Sequence, residues 1–370
     1  MKICWITNIP SPYRVDFFNH LGEMCDLTVI FEAKNAAERN SSWFSEKDKN
    51  FKAVFLNEGL INEKRIDFGI IKYLQKDIFD SYVITNYNCP TNILSILWLK
   101  INNIPFEMEV DGGLIRNDNC LKKSVKSYLI SSANHWFSTG KTTSEYLLHY
   151  GARKEDIKFY PFTSLRKKDI ITKVVPKEEK QRLKQLLGIS EDTAIISVGR
   201  FIYGKGFDVL LRATEHLPSS CGIYIIGGQP NHDYIAIVKE LDLKNVHFVE
   251  FKSKHELKDY YKACDIFVLP TREDVWGLVI NEAMACGLPI ITTDKCVAGL
   301  ELIDSSNGII IPADNIVKLS EAINLLLFDK TLRTLMAEKS LEKIASYTIE
   351  NMAKAHIEHF SECHISKANI

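Results

Sequence analysis

Short apolar runs, each bounded by turn residues or helical patterns, constrain this chain more than any other feature. In the first half they are Lys2–Thr7, Leu27–Phe31, Phe51–Leu56, Tyr82–Thr85, Phe106–Val110, His135–Ser138 and Ile157–Phe162. In the second half they are Ala194–Val198, Gly222–Ile226, Val246–Phe251, Ile266–Leu269, Ile290–Thr293 and Gly308–Ile311. Runs that are apolar at consecutive positions are covered on both faces, and helical patterns separate them. That combination gives an α/β chain of parallel sheets. The strand series starts afresh near Ala194, after a basic stretch carrying Arg166, Lys167, Lys168, Lys173, Lys177, Lys180, Arg182 and Lys184. Two domains are therefore expected, at 1–165 and 193–345. A linker and entry helix occupy 166–192, the helix (Glu178 to Leu187) stopping at Gly188. A helical segment follows over 346–370. The 370 residues, 46% hydrophobic, suffice for two cores.

Each domain reads as a Rossmann-like sheet, with ligands expected at the carboxyl ends of strands and in a cleft between the domains. Lys+Arg 46 against Asp+Glu 47 leaves a net charge of −1, so there is no basic field for nucleic acid. The nine cysteines are scattered without a C-x-x-C pair, which excludes zinc ribbons and thioredoxin chemistry and fits a reducing cytoplasm. The first residues read as a strand rather than a signal peptide. No apolar stretch approaches the ~20 residues of a membrane span.

Two segments carry chemistry. The first runs from Ile195 to Gly206, where a strand ends at Gly199 and Arg200 and Lys205 follow. It is not a P-loop, since Gly206 stands where Ser or Thr would hold magnesium, and it is not G-x-G-x-x-G. Two cations above a strand end can neutralise a diphosphate leaving group without metal; the plainer reading is a turn with solvated charges. Gly204 and Gly206 are read as allowing a ligand close approach to the backbone. The second segment runs from Asp265 to Pro289. A buried strand ends at Pro270, an acidic loop follows, and a helix begins near Gly277 or Leu278. The free N–H groups of that helix start, at Leu278 and Val279, make a phosphate site. Gly277 is read as removing a side chain where phosphate would approach. Glu282, one turn in, is placed to reach a ribose hydroxyl pair.

Together these segments resemble glycosyltransferase family 4, the retaining GT-B enzymes among the glycosyl transferases group 1. Gly199-Arg200 and Lys205-Gly206 match its first motif. Gly277-Leu278, Glu282-Ala283-Met284-Ala285 and Gly287-Leu288-Pro289 match its second. The resemblance is close over most of the C-terminal half and loose over the rest. It implies two Rossmann-like domains facing across a cleft, with a C-terminal helix returning to the N-terminal domain. It further implies metal-independent transfer from a nucleoside diphosphate sugar, UDP favoured and GDP second, and no cofactor. The acceptor would be a hydroxyl of a glycan or lipid-linked glycan in bacterial surface polysaccharide synthesis. Arg200 and Lys205 would bind the diphosphate, Leu278 and Val279 would touch it through backbone groups, and Glu282 would hold the ribose. Gly199, Val275, Trp276 and Gly277 complete the donor side. The family's E-x7-E is here D-x7-E: Asp274 aligns with the first acid, with Glu273 its competitor for the sugar hydroxyls.

The N-terminal half is less explicit. Strand Lys2–Thr7 leads into Ser11, Pro12, Tyr13 and Arg14, a helix start without a glycine-rich loop. Tyr13 and Arg14 read as acceptor or phosphate contacts, or Arg14 as a surface charge. Glu107, Glu109 and Asp111 share one face of a strand ending at Gly112-Gly113. Asp111 or Glu109 would orient or deprotonate the acceptor, or the carboxylates pair with Arg or Lys. No D-x-D motif supports a metal-held diphosphate, so no metal is expected. Ser138 follows a strand and lines the cleft, and His135 is structural. A basic amphipathic pattern after Asn119, with Lys122, Lys123 and Lys126, is either a solvated face or a peripheral contact with the inner face of a membrane. The rival functions are a sugar-nucleotide epimerase and a catalytically silent sugar-nucleotide binding module.

Overall fold

The computed structural model describes residues 1–34, 49–61 and 65–368, with side chains through Glu362. The chain divides into two compact units, Met1–Ser164 with Thr348–Ile370, and Leu165–Tyr347.

In the first unit the elements run β1 (Lys2–Thr7), α1 (Pro12–Gly22), β2 (Asp26–Phe31), β3 (Lys52–Phe55), β4 (Ser81–Thr85), α2 (Pro90–Ile101), β5 (Glu107–Val110), α3 (Cys120–Ile130), β6 (His135–Ser138), α4 (Lys141–His149) and β7 (Ile157–Phe159). The seven strands form one parallel sheet in the order β3-β2-β1-β4-β5-β6-β7. β7 stops short of the expected Phe162, because Pro161 has no N–H to continue a ladder. Below one face lies a core that includes Ile6, Ile84, Ile96, Met108, Trp136 and Leu147.

The second unit begins with α5 (Lys177–Leu187), which ends at Gly188 in the left-handed conformation. It continues through β8 (Thr193–Val198), α6 (Phe207–Ala213), β9 (Cys221–Ile226), α7 (His232–Glu240), β10 (Val246–Val249), α8 (Lys254–Ala263), β11 (Ile266–Leu269), α9 (Leu278–Ala285), β12 (Ile290–Thr293), α10 (Val297–Leu302), β13 (Gly308–Ile311), α11 (Ile316–Phe328) and α12 (Lys330–Ile344). Its six strands, also parallel, are ordered β10-β9-β8-β11-β12-β13. The basic entry stretch is part of this unit. Lys180 and Lys184 both pair with the mostly buried Asp265 at the start of β11, at 2.8 and 3.1 Å, so α5 is anchored to the sheet.

The last helix, α13 (Ile349–Ala368), returns to the first unit and packs on α1. In both sheets the strand order reverses beside the first strand, between β1 and β4 and between β8 and β11. In an open α/β sheet the loops at such a reversal diverge and leave a crevice at the carboxyl ends. The loop after β8 carries Arg200 and Lys205. The loop after β11 carries Glu273 and Asp274. The fold thus brings the two motif segments to one switch point.

Candidate active site

A 3₁₀ turn, Tyr203–Lys205, follows β8 and ends at Gly206 with φ 68°. A Cβ at Gly206 would stand 2.1 Å from the Pro270 carbonyl oxygen, so this glycine lets the turn dock against the end of β11. The expected reason for Gly206, access for a ligand, is replaced by this backbone approach. At Gly204 the carbonyl accepts from the Arg272 N–H at 2.8 Å and from Thr271 Oγ1 at 2.7 Å, while a Cβ there would meet nothing within 4 Å. The Lys205 methylenes lie across Gly199, and Nζ reaches Asp274 Oδ2 at 2.5 Å. Both side chains are mostly buried, which strengthens their pairing relative to a surface ion pair. Arg200 and Glu273 are exposed, as is Val275.

The second loop is clamped along its length. Asp274 bridges Cys296 in parallel register, and the Ala298 N–H donates to the Trp276 carbonyl at 2.8 Å. Trp276 is buried, its indole N–H donating to buried Asn281 at 2.8 Å. Gly277 has φ 100°, and a Cβ there would stand 2.8 Å from Cys296 Sγ. Its absent side chain therefore serves backbone conformation and packing rather than phosphate access. α9 then starts at Leu278. As first residues of a helix, Leu278 and Val279 direct N–H groups toward the loop side. Glu282 is half-buried, and the buried Tyr261 hydroxyl donates to its Oε2 at 3.2 Å. Lys205, Asp274 and the start of α9 are thus fixed around one crevice.

In the first unit, Arg14 is buried and forms the centre of an ion cluster. It contacts Glu109 at 2.7 Å and also pairs with Asp111, while its guanidinium lies 5.6 Å from the Tyr13 and Phe162 ring centres. Glu109 also accepts from Thr85 Oγ1 at 3.0 Å, and His356 of α13 stands 3.6 Å away. Burial alone would raise the Glu109 pKa, but Arg14 and His356 outweigh it and hold the carboxyl at about 2. Burial pushes Asp111 upward and the Glu109 charge adds to this, against the pull of Arg14. Asp111 keeps a quarter of its side chain exposed and accepts from Tyr160 Oη at 3.0 Å. Two readings are corrected here. Arg14 is no surface charge, and neither it nor fully buried Glu109 is placed to touch an acceptor. Ser138 is fully buried as well, its hydroxyl donating to the Gly140 carbonyl at 2.9 Å, so it braces the turn into α4 rather than lining a surface. Tyr13 is half-buried, edge-on to Phe162 at 5.7 Å.

Residues 179–343 match the family of glycosyl transferases group 1. A Campylobacter jejuni enzyme, N,N'-diacetylbacillosaminyl-diphospho-undecaprenol alpha-1,3-N-acetylgalactosaminyltransferase, is 23% identical over 278 residues, 72% of this chain and 73% of that one. Alpha-galactosylglucosyldiacylglycerol synthase of Streptococcus pneumoniae is 27% identical over 53% of this chain and 54% of its own. In fold, the chain is similar to Anabaena HepE crystallised with UDP, at TM-score 0.79 and 17% identity, covering 98% of this chain and all of that one. The second unit is that of a group 1 glycosyltransferase. The chain's two parallel-sheet units have the GT-B architecture.

One residue that organises this transferase's site is absent from the sequence reading. Arg272 donates to the Tyr203 carbonyl at 2.7 Å, to Asp208 at 2.8 and 2.6 Å, and to Asp314 at 2.6 Å, and its guanidinium lies 3.9 Å from the Tyr203 ring centre. It ties the Lys205 turn to the acidic loop. A lone cation within Thr271-Arg272-Glu273-Asp274 was the available signal. Asn281, which holds the Trp276 indole, sits at an unspecified position of the motif and so carries no signal in the sequence.

Proposed function

We propose that this glycosyltransferase moves a sugar, with retained anomeric configuration, from a nucleoside diphosphate donor to a hydroxyl of a glycan or lipid-linked glycan. The observation that carries the reading is the convergence of Lys205, Asp274 and the start of α9 at the β8–β11 switch point. Lys205 supplies positive charge where a leaving diphosphate gains negative charge, and the α9 N–H groups supply donors to the same oxygens. Asp274 holds Lys205 in place and, through its second oxygen, can accept from a sugar hydroxyl. Exposed Glu273 is the competitor for that contact. Glu282, oriented by Tyr261, takes the ribose, and exposed Arg200 the outer phosphate oxygens. Asp111, the exposed member of the Arg14 cluster, is the acceptor-side candidate.

UDP is the favoured carrier, supported by the likeness to a protein crystallised with UDP. The lipid-linked acceptor, and with it a role in bacterial surface polysaccharide synthesis, is supported by the undecaprenol named for the Campylobacter relative. No helix of the described residues is long and apolar enough to cross a membrane. A peripheral contact through α3 suits such an acceptor, since Leu121, Val125 and Tyr128 are exposed there. Lys122 and Lys126, however, are both paired with Asp118, which lowers the charge α3 offers to anionic lipid.

The test is a panel of UDP- and GDP-sugars with the full chain, with and without EDTA, reading nucleoside diphosphate release. UDP release from at least one donor, insensitive to EDTA, is expected, with the α-anomer formed first from an α-linked donor by NMR. Release of neither nucleotide from any donor sinks the donor reading. Complete, Mg²⁺-reversible loss with EDTA sinks the metal-independent one.

A further inference from the structure

The opposite end of the first sheet holds a second cluster that the transfer reaction does not use. Glu107 opens β5 and His135 opens β6, and the two are register partners, so their side chains stand side by side on one face. α13 crosses that face. His356 meets Glu109, and one turn further on His359 meets His135, ring centres 4.8 Å apart. Glu107 and His359 are 6% and 3% exposed, while the His135 side chain keeps 29%. One donor atom from each of Glu107, His135 and His359 lies within 4.8 Å of the others.

We propose that Glu107, His135 and His359 bind one divalent transition-metal ion of the zinc class, which fastens α13 to β5 and β6. Two imidazoles and one carboxylate are a zinc-type donor set, completed by water in the fourth position. Ligand atoms about 3.4 Å apart would surround zinc tetrahedrally at bond lengths near 2.05 Å, so small rotations about the side-chain torsions close the site. The exposed part of His135 is the way in and leaves room for that water. His135 Nε2 also lies 3.9 Å from Asp156, a carboxylate placed to orient the ring from behind. Phe137 packs on His359 at 5.0 Å and supplies a dry wall. Lys158, the nearest cation on β7, is drawn off by Glu362 at 3.5 Å. The alternative is an imidazolium paired with Glu107 and no metal.

The test uses the full chain without an affinity tag, stripped with EDTA and titrated with Zn²⁺ against a chromophoric chelator, and with Co²⁺ for its visible d–d bands. One Zn²⁺ per chain is expected, with Co²⁺ bands of tetrahedral intensity and a Zn²⁺-dependent rise in Tm. His135→Ala, at the partly exposed ligand, and Glu107→Gln should each weaken Zn²⁺ at least about 100-fold, and Asp156→Asn about 10-fold. Circular dichroism separates loss of binding from loss of fold. Failure of the unmutated chain to bind Zn²⁺ overturns the proposal, as does unchanged affinity in folded His135→Ala and Glu107→Gln. The donor site lies in the other unit, so neither result bears on donor binding.

Discussion

At the scale of single residues, two ionic contacts decide most of the chemistry. Lys205→Ala removes the cation aimed at the leaving group but little of the core. It is expected to lower kcat by about 10²–10³, the effect of deleting one preorganised oxyanion donor, with only a modest fall in Tm from the loss of the partner of Asp274. Steady-state kinetics with the best donor, beside a thermal melt, reads both; full activity would remove Lys205 from the diphosphate role. The Glu109 pair acts on stability instead. Its carboxyl titrates at about 2 when folded against about 4.3 when unfolded, so its stabilisation is fully present above about pH 4.5 and lost as pH falls through 2. Glu109→Gln should therefore cost roughly 3 kcal/mol at pH 7, and the difference from wild type should shrink steadily below pH 4. Urea unfolding at pH 7, 4 and 3 measures it; a pH-independent difference would show that shape, not charge, was lost. The three carboxylates of Glu107-Met108-Glu109-Val110-Asp111 were legible as one face of a strand. Their partners were not, because Arg14 and His356 reach Glu109 from α1 and α13, and no spacing along the chain encodes such pairs.

Elements were the most legible scale. Every strand expected from an apolar run is present in the described residues, because a strand buried on both faces writes an uninterrupted signal. The start of α9 and the stop of α5 at Gly188 were equally plain. What the motif did not reveal was why its glycines are there. Gly206 and Gly277 were expected to clear a path for a ligand, yet both are set by protein contacts, with Pro270 and Cys296. Arg272 belongs at this scale, since it joins the Lys205 turn, α6 through Asp208 and the loop after β13 through Asp314. Arg272→Lys keeps the charge but loses the fork that grips Asp208 bidentately, and it cannot also reach Tyr203 and Asp314. It is expected to lower kcat about 10-fold or more through a misplaced Lys205, while KM for the acceptor stays within about 2-fold. Arg272→Ala should do the same more strongly and lower Tm. A purely structural Arg272 would lower Tm alone, with kcat per folded molecule unchanged.

For the whole molecule, the informative fact is that the first unit is built from both ends of the chain. α13 supplies Ile349, Met352 and Phe360 to its core, all essentially unexposed, together with His356, whose ring packs on Phe137, Tyr160, Phe17 and Trp5 at 4.2, 4.8, 5.1 and 5.3 Å. From the sequence the helix was visible, but its destination was expected only through family resemblance. An amphipathic helix says that one face is covered, not what covers it. Burying those three apolar side chains contributes on the order of 6 kcal/mol, comparable to the roughly 5–15 kcal/mol that keeps a whole domain folded. A chain ending at Tyr347 should therefore lose the first unit while keeping the second, whose elements lie entirely within 165–347. Its melt should show one cooperative transition with reduced enthalpy and exposed apolar surface by dye binding. It should bind UDP within about 10-fold of the full chain, because Lys205, Asp274, α9 and Glu282 all remain, and it should transfer no sugar. Calorimetry and UDP titration on the truncated chain decide the matter. Two retained transitions would show that α13 is dispensable, and loss of UDP binding in a folded second unit would show that the donor site does not reside there alone.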